Sequence, residues 1–321
     1  MGEARTQTKR RPHPVPPEYQ LMTGTQLRAR GLRSREDWIP YLFLLPAFSL
    51  LLMFRILPVL ATFRESLYSY IFSASGPQHM FVGLDNFRRL VQDPVFWKSV
   101  KVTMLFSLVI NPTQTALALG LGLLANQRVR GIRLFRSIYL LPVAVSLNIV
   151  CLIWRLMLDS NFGMINGILA LVHIPRQPFL GAESHALWSI IAVATWKGVP
   201  YWTIFFLAGL QGISRSVLEA AAIDGANAWQ TFLHITLPLL RQVILFVLVA
   251  DTIINFVLFI PPFVLTGGGP QLSTNLLMLE TYRKGFLYGD TGGAGAISVL
   301  LLAIMVVIIT IEFTMLRARE T

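Results

Sequence analysis

The chain has 321 residues, of which 54% are hydrophobic and only 13% are charged, and its formal net charge at pH 7 is +11. Soluble globular domains carry about 25% charged residues, so this composition argues against a soluble protein and favours one embedded in a membrane. The basic excess does not indicate a nucleic-acid partner, because the sequence has neither interleaved basic and aromatic residues nor a recognisable nucleic-acid module.

The first 37 residues form a basic segment rich in arginine, proline, glutamine and threonine. The prolines of "RPHPVPPEY" prevent a packed helix, so we predict a disordered cytoplasmic tail over residues 1–37. A cleaved signal peptide is not expected, because the first apolar run begins too late and continues for too long.

Six apolar runs follow, each long enough to cross a ~30 Å hydrocarbon core as a helix of about 20 residues. Helices satisfy their own backbone hydrogen bonds in lipid, and the sequence lacks the alternating pattern of a membrane β-barrel. The predicted fold class is therefore an all-α integral membrane protein, with a membrane domain over residues 38–316 and a short tail at 317–321. The expected spans are residues 39–60, 100–124, 134–158, 186–207, 239–263 and 296–316.

Arginine clusters predict the orientation of these spans. The N-terminal segment and the link "NQRVRGIRLFR" between the second and third runs are both strongly basic, and the link has four arginines and no acid. The positive-inside rule therefore puts both on the cytoplasmic side, and six spans return the C-terminus to that side. Residues 61–99, on the outer side, carry four basic and three acidic residues and weigh against this assignment only weakly.

Catalytic and metal-binding patterns are absent from the sequence. The five histidines are scattered without metal-ligand spacing, and no nucleophile-elbow or phosphate-loop motif occurs. The single cysteine, Cys151, excludes an internal disulfide, and "TGGGP" at Thr266–Pro270 is typical of a tight turn, here at the outer face. We therefore expect no cofactor bound by this chain and no enzymatic activity.

A polar, small-residue stretch, "EAAAIDGANAWQTFLHITLP", separates the fourth and fifth runs on the predicted cytoplasmic side. Ser214 is expected to cap a helix that begins at Arg215, and Gly225 permits a turn that other residues resist. The carboxylates of Glu219 and Asp224 are available to basic residues of a partner. From these residues alone, a docking helix and an ordinary interfacial helix both remain open.

The same stretch matches the EAA signature: E-A-A, three residues, G, nine residues, then I-x-L-P. The matching residues are Glu219, Ala220, Ala221, Gly225, Ile235, Leu237 and Pro238. The chain thus resembles the permease subunits of binding-protein-dependent ABC importers. That resemblance implies a type I permease bundle whose coupling helix, within residues 214–238, seats in a groove of a cytoplasmic ATPase.

The resemblance also implies partners. They are a second related permease, usually a different chain, two ATPase subunits that bind ATP and Mg, an extracytoplasmic binding protein, and membrane lipid. The implied location is the cell (inner) membrane of a bacterium or archaeon.

Two further segments indicate which subfamily of ABC importer permeases the chain resembles. "FVGLDNFRRLVQDPVFWKSVKVT" at Phe81–Thr103 and "LTGGGPQLST" at Leu265–Thr274 resemble those of carbohydrate-uptake permeases, so the implied cargo is a di- or oligosaccharide or a related carbohydrate. The family usually has proline where this chain has Ser214, which implies a less rigid helix start. An organophosphate such as glycerol 3-phosphate is an alternative cargo. An enzyme acting on lipid-linked sugars is a second alternative, but the acid or histidine cluster it requires is missing.

Polar residues near the middle of the spans are candidates for a substrate path, because such residues are costly in lipid. Amides beside aromatic rings suit a ligand rich in hydroxyl groups. Two structural alternatives remain open: Lys197 and Asp251 neutralise each other, or the amides hold helices together. The candidates are Asn111, Gln114, Asn148, Trp196, Lys197, Tyr201, Asp251 and Asn255, with Trp202 and Phe256 beside them.

Overall fold

The computed structural model describes residues 39–73, 76–127 and 129–317. The predicted N-terminal tail and most of the short C-terminal tail lie outside these residues. The chain divides into two compact units, Met1–Pro58 and Val59–Thr321. In the first unit, α1 (Ile39–Leu51) is followed by a π-helical turn, Leu52–Ile56, and none of its described side chains is buried.

The described part of the chain has four helices long and apolar enough to cross a membrane, and two bent helix pairs raise the number to six if each pair is one span. The predicted helical membrane fold is confirmed. The first of the four is Tyr41–Glu65, and it contains α2 (Leu57–Glu65). The other three are α4 (Pro94–Ala125), α8 (Glu183–Gly212) and α15 (Thr291–Arg317). The second span thus begins earlier than predicted, because Asp93 caps α4 by accepting from the Val95 N–H, and Pro94 occupies its first turn.

The third and fifth predicted spans are not continuous helices. The third consists of α5 (Ile132–Ala144) and α6 (Leu147–Met157), which meet at 97°. The fifth contains α12 (Arg241–Phe256), which forms the second bent pair with the preceding helix Ala228–Leu239, at 66°. Helix α12 ends before the predicted limit, and α13 (Ile260–Leu265) follows it. The break between α5 and α6 contains Ser146 and follows Pro142, whereas the residues between α12 and α13 are all apolar and do not reveal where α12 stops.

The elements outside the long helices include a β-hairpin, which the all-α prediction missed. Strand β1 (Tyr68–Ser73) pairs antiparallel with β2 (Gly76–Phe81), with Tyr68 opposite Phe81. Asn86 holds the base of this hairpin by donating to the carbonyl oxygens of Ser66 and Tyr68, each at 2.8 Å. The short helices are α3 (Asp85–Gln92), α7 (Met164–Leu171), α9 (Arg215–Ile223), α10 (Ala228–Thr231), α11 (Leu237–Leu239) and α14 (Leu277–Tyr282).

Three clusters of buried apolar side chains hold the second unit together. The largest lies between α4, α6 and α8 around Phe106 and Ile190. Another joins α3, the start of α4, α14 and α15. The third brings Ala118 of α4 and Trp202 of α8 against Val247 of α12, and it fixes the three helices that carry most of the polar candidates.

Candidate functional site

The segment that carries the EAA signature folds as two short helical pieces around a turn. Helix α9 begins at Arg215, as predicted. Ser214 stands at the cap position, but its hydroxyl lies 2.8 Å from the Ser216 hydroxyl and forms no capping hydrogen bond with the backbone. The predicted side-chain cap is therefore wrong, and α9 begins without one.

Gly225 ends this helix. Its φ of +78° is a left-handed conformation, so the predicted turn is present. The N–H of Gly225 donates to the Ala222 carbonyl, and the N–H of Ala226 donates to the Ala221 carbonyl. This pair of bonds is a Schellman motif, which satisfies the last carbonyls of α9 and fixes the direction of the chain beyond it.

The second piece begins with a capping box that the sequence analysis overlooked. Asn227 and Gln230 exchange two side-chain-to-backbone hydrogen bonds at 2.9 Å, and the N-x-x-Q spacing is the signal that predicts them. Helix α10 then passes through a π-helical turn, Phe232–Thr236, into α11, where Pro238 lies in the first turn. We call residues 214–238 the coupling segment.

The coupling segment presents its signature residues unequally. Glu219, Ala220, Asp224 and Gly225 are exposed, whereas Ala221 is buried. Ile235 and Leu237 are half-buried and Pro238 is exposed. Ile223, between the two carboxylates, is 86% exposed, and Trp229 is 66% exposed. The segment thus combines exposed carboxylates with exposed apolar side chains on a rigid turn.

Lys197 and Asp251 do not form an ion pair, so that interpretation is wrong. The Lys197 ammonium group instead donates to the main-chain carbonyls of Pro142, Val143 and Val145, with distances of 3.1 Å to Val143 and 2.8 Å to Val145. These carbonyls lie at the break between α5 and α6, where the last residues of a helix lack intrahelical partners. An ammonium group has three donors, and each finds an acceptor here.

Asp251 belongs to a buried hydrogen-bond network. Its Oδ1 accepts from the indole N–H of Trp202 at 2.7 Å and from the Asn255 amide at 3.0 Å. The same Asn255 amide donates to Asn111 Oδ1 at 2.8 Å. Asn111 in turn donates to the hydroxyl of Thr252 at 2.8 Å.

The network continues from Thr252 to α15, because the Thr252 hydroxyl donates to Glu312 Oε1 at 2.8 Å. We call Trp202, Asp251, Asn255, Asn111, Thr252 and Glu312 the polar network. Its members connect α8, α12, α4 and α15. The alternative in which amides hold helices together therefore describes the geometry at Asn111 and Asn255.

Gln114 has a similar role between two helices. It is buried, and its amide donates to the Ala194 carbonyl of α8 at 3.0 Å. Its side chain also packs on Gly198, where an added Cβ would lie 2.8 Å from the Gln114 amide. The bare glycine thus permits the close approach of α4 and α8.

The remaining path candidates, Asn148, Trp196 and Tyr201, are exposed. A mostly apolar groove of about 880 Å³ opens between α4, α5 and α8, and Trp196 is the one path candidate that lines it. Pro142 and Val145, whose carbonyls Lys197 holds, also line this groove. The shape of the groove wall therefore depends on the Lys197 contacts.

A family model for the binding-protein-dependent transport system inner membrane component matches residues 114–319 of the chain. The chain belongs to this family. It is a permease subunit of an ABC importer and not an enzyme, and it crosses the membrane several times. In the described part of the permease, no group of three or more histidine, cysteine, aspartate or glutamate side chains is arranged to hold a metal ion.

Named relatives cover nearly the whole permease. It is 38% identical to the trehalose/maltose transport system permease protein MalF of Thermococcus litoralis, over 84% of this chain and 90% of that protein. It is 33% identical to the sn-glycerol-3-phosphate transport system permease protein UgpA of Agrobacterium fabrum, over 88% of this chain and 95% of that protein.

A chain of the bacterial alginate ABC transporter, solved with an alginate pentasaccharide-bound periplasmic protein, has the same fold. The TM-score is 0.76 at 23% identity, and the match covers 89% of the permease and 96% of that chain. At this identity the match supports the type I permease fold alone.

Proposed function

We propose that the permease is one transmembrane subunit of an ATP-driven importer for a di- or oligosaccharide or a related carbohydrate. The observation that carries this proposal is the coupling segment, in which the EAA signature coincides with an exposed helix end fixed by a Schellman turn. The trehalose/maltose transport system of the Thermococcus litoralis relative supports carbohydrate as the cargo.

The proposed complex contains a second permease, two cytoplasmic ATPase subunits and an extracytoplasmic binding protein. The ATPases bind ATP and Mg, and this chain binds neither. Glu219 and Asp224 pair with basic residues of the ATPase, while Ile223 fills an apolar part of its groove. The arginine clusters support a cytoplasmic location for the coupling segment and both termini.

Glycerol 3-phosphate is a second candidate cargo, because the UgpA relative is named for it. A phosphate ester requires a cation along its path. Lys197 is the cation among the path candidates, but its three donors are bound to main-chain carbonyls. That geometry favours a neutral carbohydrate, which passes the apolar groove beside Trp196 with its ring faces against aromatic side chains.

The experiment is purification of the intact complex with its binding protein, followed by mass spectrometry of the retained ligand. That ligand is then added to the complex in lipid nanodiscs, and ATP hydrolysis is measured. We expect a carbohydrate that stimulates hydrolysis. A retained phosphate ester that stimulates it instead would replace the cargo assignment, and hydrolysis unaffected by any retained ligand would overturn the import function.

A further inference from the structure

Two acidic side chains of the polar network lack a counter-charge. Asp251 is only 1% exposed, and its Oδ2 is buried without a hydrogen-bond partner. Glu312 Oε2 is likewise buried and unpartnered. Among the ion pairs of the described residues, none includes Asp251 or Glu312. The network therefore ends at each acid in an oxygen that no described group of the chain satisfies.

No neighbouring charged group of the described chain compensates these acids. Helix α12 packs against α4, α8 and α15. Lys98 and Glu183 pair with each other at 3.3 Å, and Lys197 is bound to carbonyls. The other charged or titratable residues on these four helices whose side chains the structure describes are Lys98, Lys101, Glu183, His185, Lys197, Tyr201 and Arg241. None of these side chains has a described bond to Asp251 or Glu312.

The donors of the network are also fully used. Both amide hydrogens of Asn111 are donated, to Ser107 and Thr252. Both amide hydrogens of Asn255 are donated, to Asn111 and Asp251. The hydroxyl hydrogen of Thr252 goes to Glu312, and the single indole hydrogen of Trp202 goes to Asp251. The hydrogen that the free oxygens lack must therefore come from outside the network.

Two buried carboxylates without a cation are energetically unfavourable. Removing one carboxylate from water costs several kcal/mol, and a second like charge in the same network adds to that cost. Buried acids in such surroundings bind a proton, which removes one of the two buried charges.

We propose that the polar network, which links α12 to α15 through the Thr252–Glu312 bond, binds one proton at Asp251 or at Glu312. The proton adds to one of the two free carboxylate oxygens, and the net charge of the pair falls from −2 to −1. This inference goes beyond the proposed function and does not depend on which cargo is carried. Helix α12 directly follows the coupling segment in the chain. By stabilising the packing of α12, the proton stabilises the helix that leads from that segment into the membrane.

The test is difference infrared spectroscopy of the intact complex in nanodiscs, in H2O and in D2O. We expect a carbonyl stretching band of a protonated carboxyl group that shifts in D2O, and that also shifts when aspartate and glutamate carry a ¹³C label. The double variant Asp251→Asn/Glu312→Gln should lose the band. Asp85→Asn is the matched control, because Asp85 is exposed and paired with Arg89, and it should keep the band.

A second measurement distinguishes a proton from a metal cation. If the site holds a proton, the thermal midpoint of the complex does not change when Na⁺ or K⁺ is replaced by choline. Asp251→Asn should then keep at least the wild-type midpoint, because it removes the buried charge while its oxygen still accepts from Trp202. Absence of the band in the wild-type complex, or a midpoint that depends on Na⁺ or K⁺, would overturn the proposal.

Discussion

The ammonium nitrogen of Lys197 lies 2.8 Å from the main-chain carbonyl oxygen of Val145, at the break between α5 and α6. In lipid, backbone outside a helix is tolerated only where the protein supplies hydrogen-bond partners. Lys197 supplies these partners from α8, which packs against α5. A residue that the sequence suggested for cargo contact thus donates to the carbonyls of a broken span.

Replacing Lys197 tests this role. Lys197→Met leaves up to three carbonyls without a donor, at about 1–3 kcal/mol each, so we expect a clear fall in the thermal midpoint of the purified complex. Lys197→Arg keeps donors and should lose less. The control is Lys101→Met on α4, where the side chain is exposed and the midpoint should stay unchanged. A Lys197→Met complex that is as stable as wild type but transports poorly would return this residue to the cargo path.

The second prediction concerns the turn of the coupling segment. At φ +78°, Gly225→Val places a β-branched residue in a left-handed conformation, at a cost of about 1–2 kcal/mol, and under the proposed function it displaces the surface that docks on the ATPase. We expect ligand-stimulated ATP hydrolysis to fall about tenfold while membrane insertion is normal. Gly212→Val is the control, because an added Cβ meets nothing within 4 Å at either glycine and Gly212 has no positive φ.

Glu219→Lys tests the charge of the same surface. The side chain is exposed, so the fold should be retained, while the reversed charge repels a basic partner. We expect the ATPase to be lost from the complex during purification, and the loss should be larger in low salt. Full retention of the ATPase and of uptake in both Gly225→Val and Glu219→Lys would contradict the docking assignment.

Orientation is tested by labelling single cysteines in intact cells, after Cys151 is replaced. A cysteine at Ala226 should resist a membrane-impermeant reagent, whereas one at Phe162, which is 94% exposed, should react from outside. The expected contrast follows from the arginine clusters and an even number of spans. Labelling at Ala226 but not at Phe162 would invert the topology.

A close contact at the start of α15 gives a stability prediction. A Cβ at Gly292 would overlap the Tyr68 carbonyl oxygen and lie 2.7 Å from the Asn86 amide nitrogen, the group that holds the hairpin base. Gly292→Ala should therefore destabilise the permease by about 1–3 kcal/mol in thermal unfolding. Gly120→Ala, which meets nothing within 4 Å, should be neutral or slightly stabilising. Equal effects of the two would exclude packing as the cause.

The Asp93–Lys284 ion pair predicts a pH dependence. Burial opposes ionisation of Asp93, but Lys284 at 2.9 Å and the Val95 N–H outweigh it and keep the pKa of this carboxyl below its ordinary value. The resulting stabilisation is present above the ordinary pKa of aspartate and is lost as the pH falls through the lowered one.

Lys284→Met should therefore cost about 1 kcal/mol at neutral pH and less at about pH 3, where the wild-type pair is weakened. Thermal midpoints at the two pH values measure the difference. Lys98→Met is the control, because its ion pair with Glu183 is longer, at 3.3 Å, and more exposed. A Lys284→Met penalty that does not change between the two pH values would contradict the pairing.

The sequence predicts the structure correctly where neighbouring residues along the chain determine the backbone conformation. The length of an apolar run predicts a helix, and the spacing around Gly225 predicts the turn that the structure contains. The sequence does not predict helix breaks and side-chain partners that depend on how the helices pack together. The break after Ala144 falls inside a predicted span, between Pro142 and Asn148, and the acceptors of Lys197 become available only because of that break.

The polar network shows the same limit. Asn111, Asp251 and Asn255 were grouped at one depth, but depth alone does not tell whether a side chain turns toward a path or toward another helix. That depends on the rotation of each helix about its axis. The hairpin, by contrast, had a signal in the aromatic and β-branched residues after Tyr68, and the expectation of an all-helical protein obscured it.

Helix α12 connects two features that lie far apart in the molecule. At 1.5 Å per residue its 16 residues extend about 24 Å, from the 66° bend after α11 to the turns that bear Asp251 and Asn255. A small tilt of such a helix at its N-terminal end would shift its C-terminal end sideways. The hydrogen bonds of Asp251 and Asn255 at that end tolerate shifts of only tenths of an ångström. Under the proposed function, a movement of the coupling segment that tilts α12 would strain the Asn255–Asn111 bond, which makes that bond a place to attach a spectroscopic reporter of coupling.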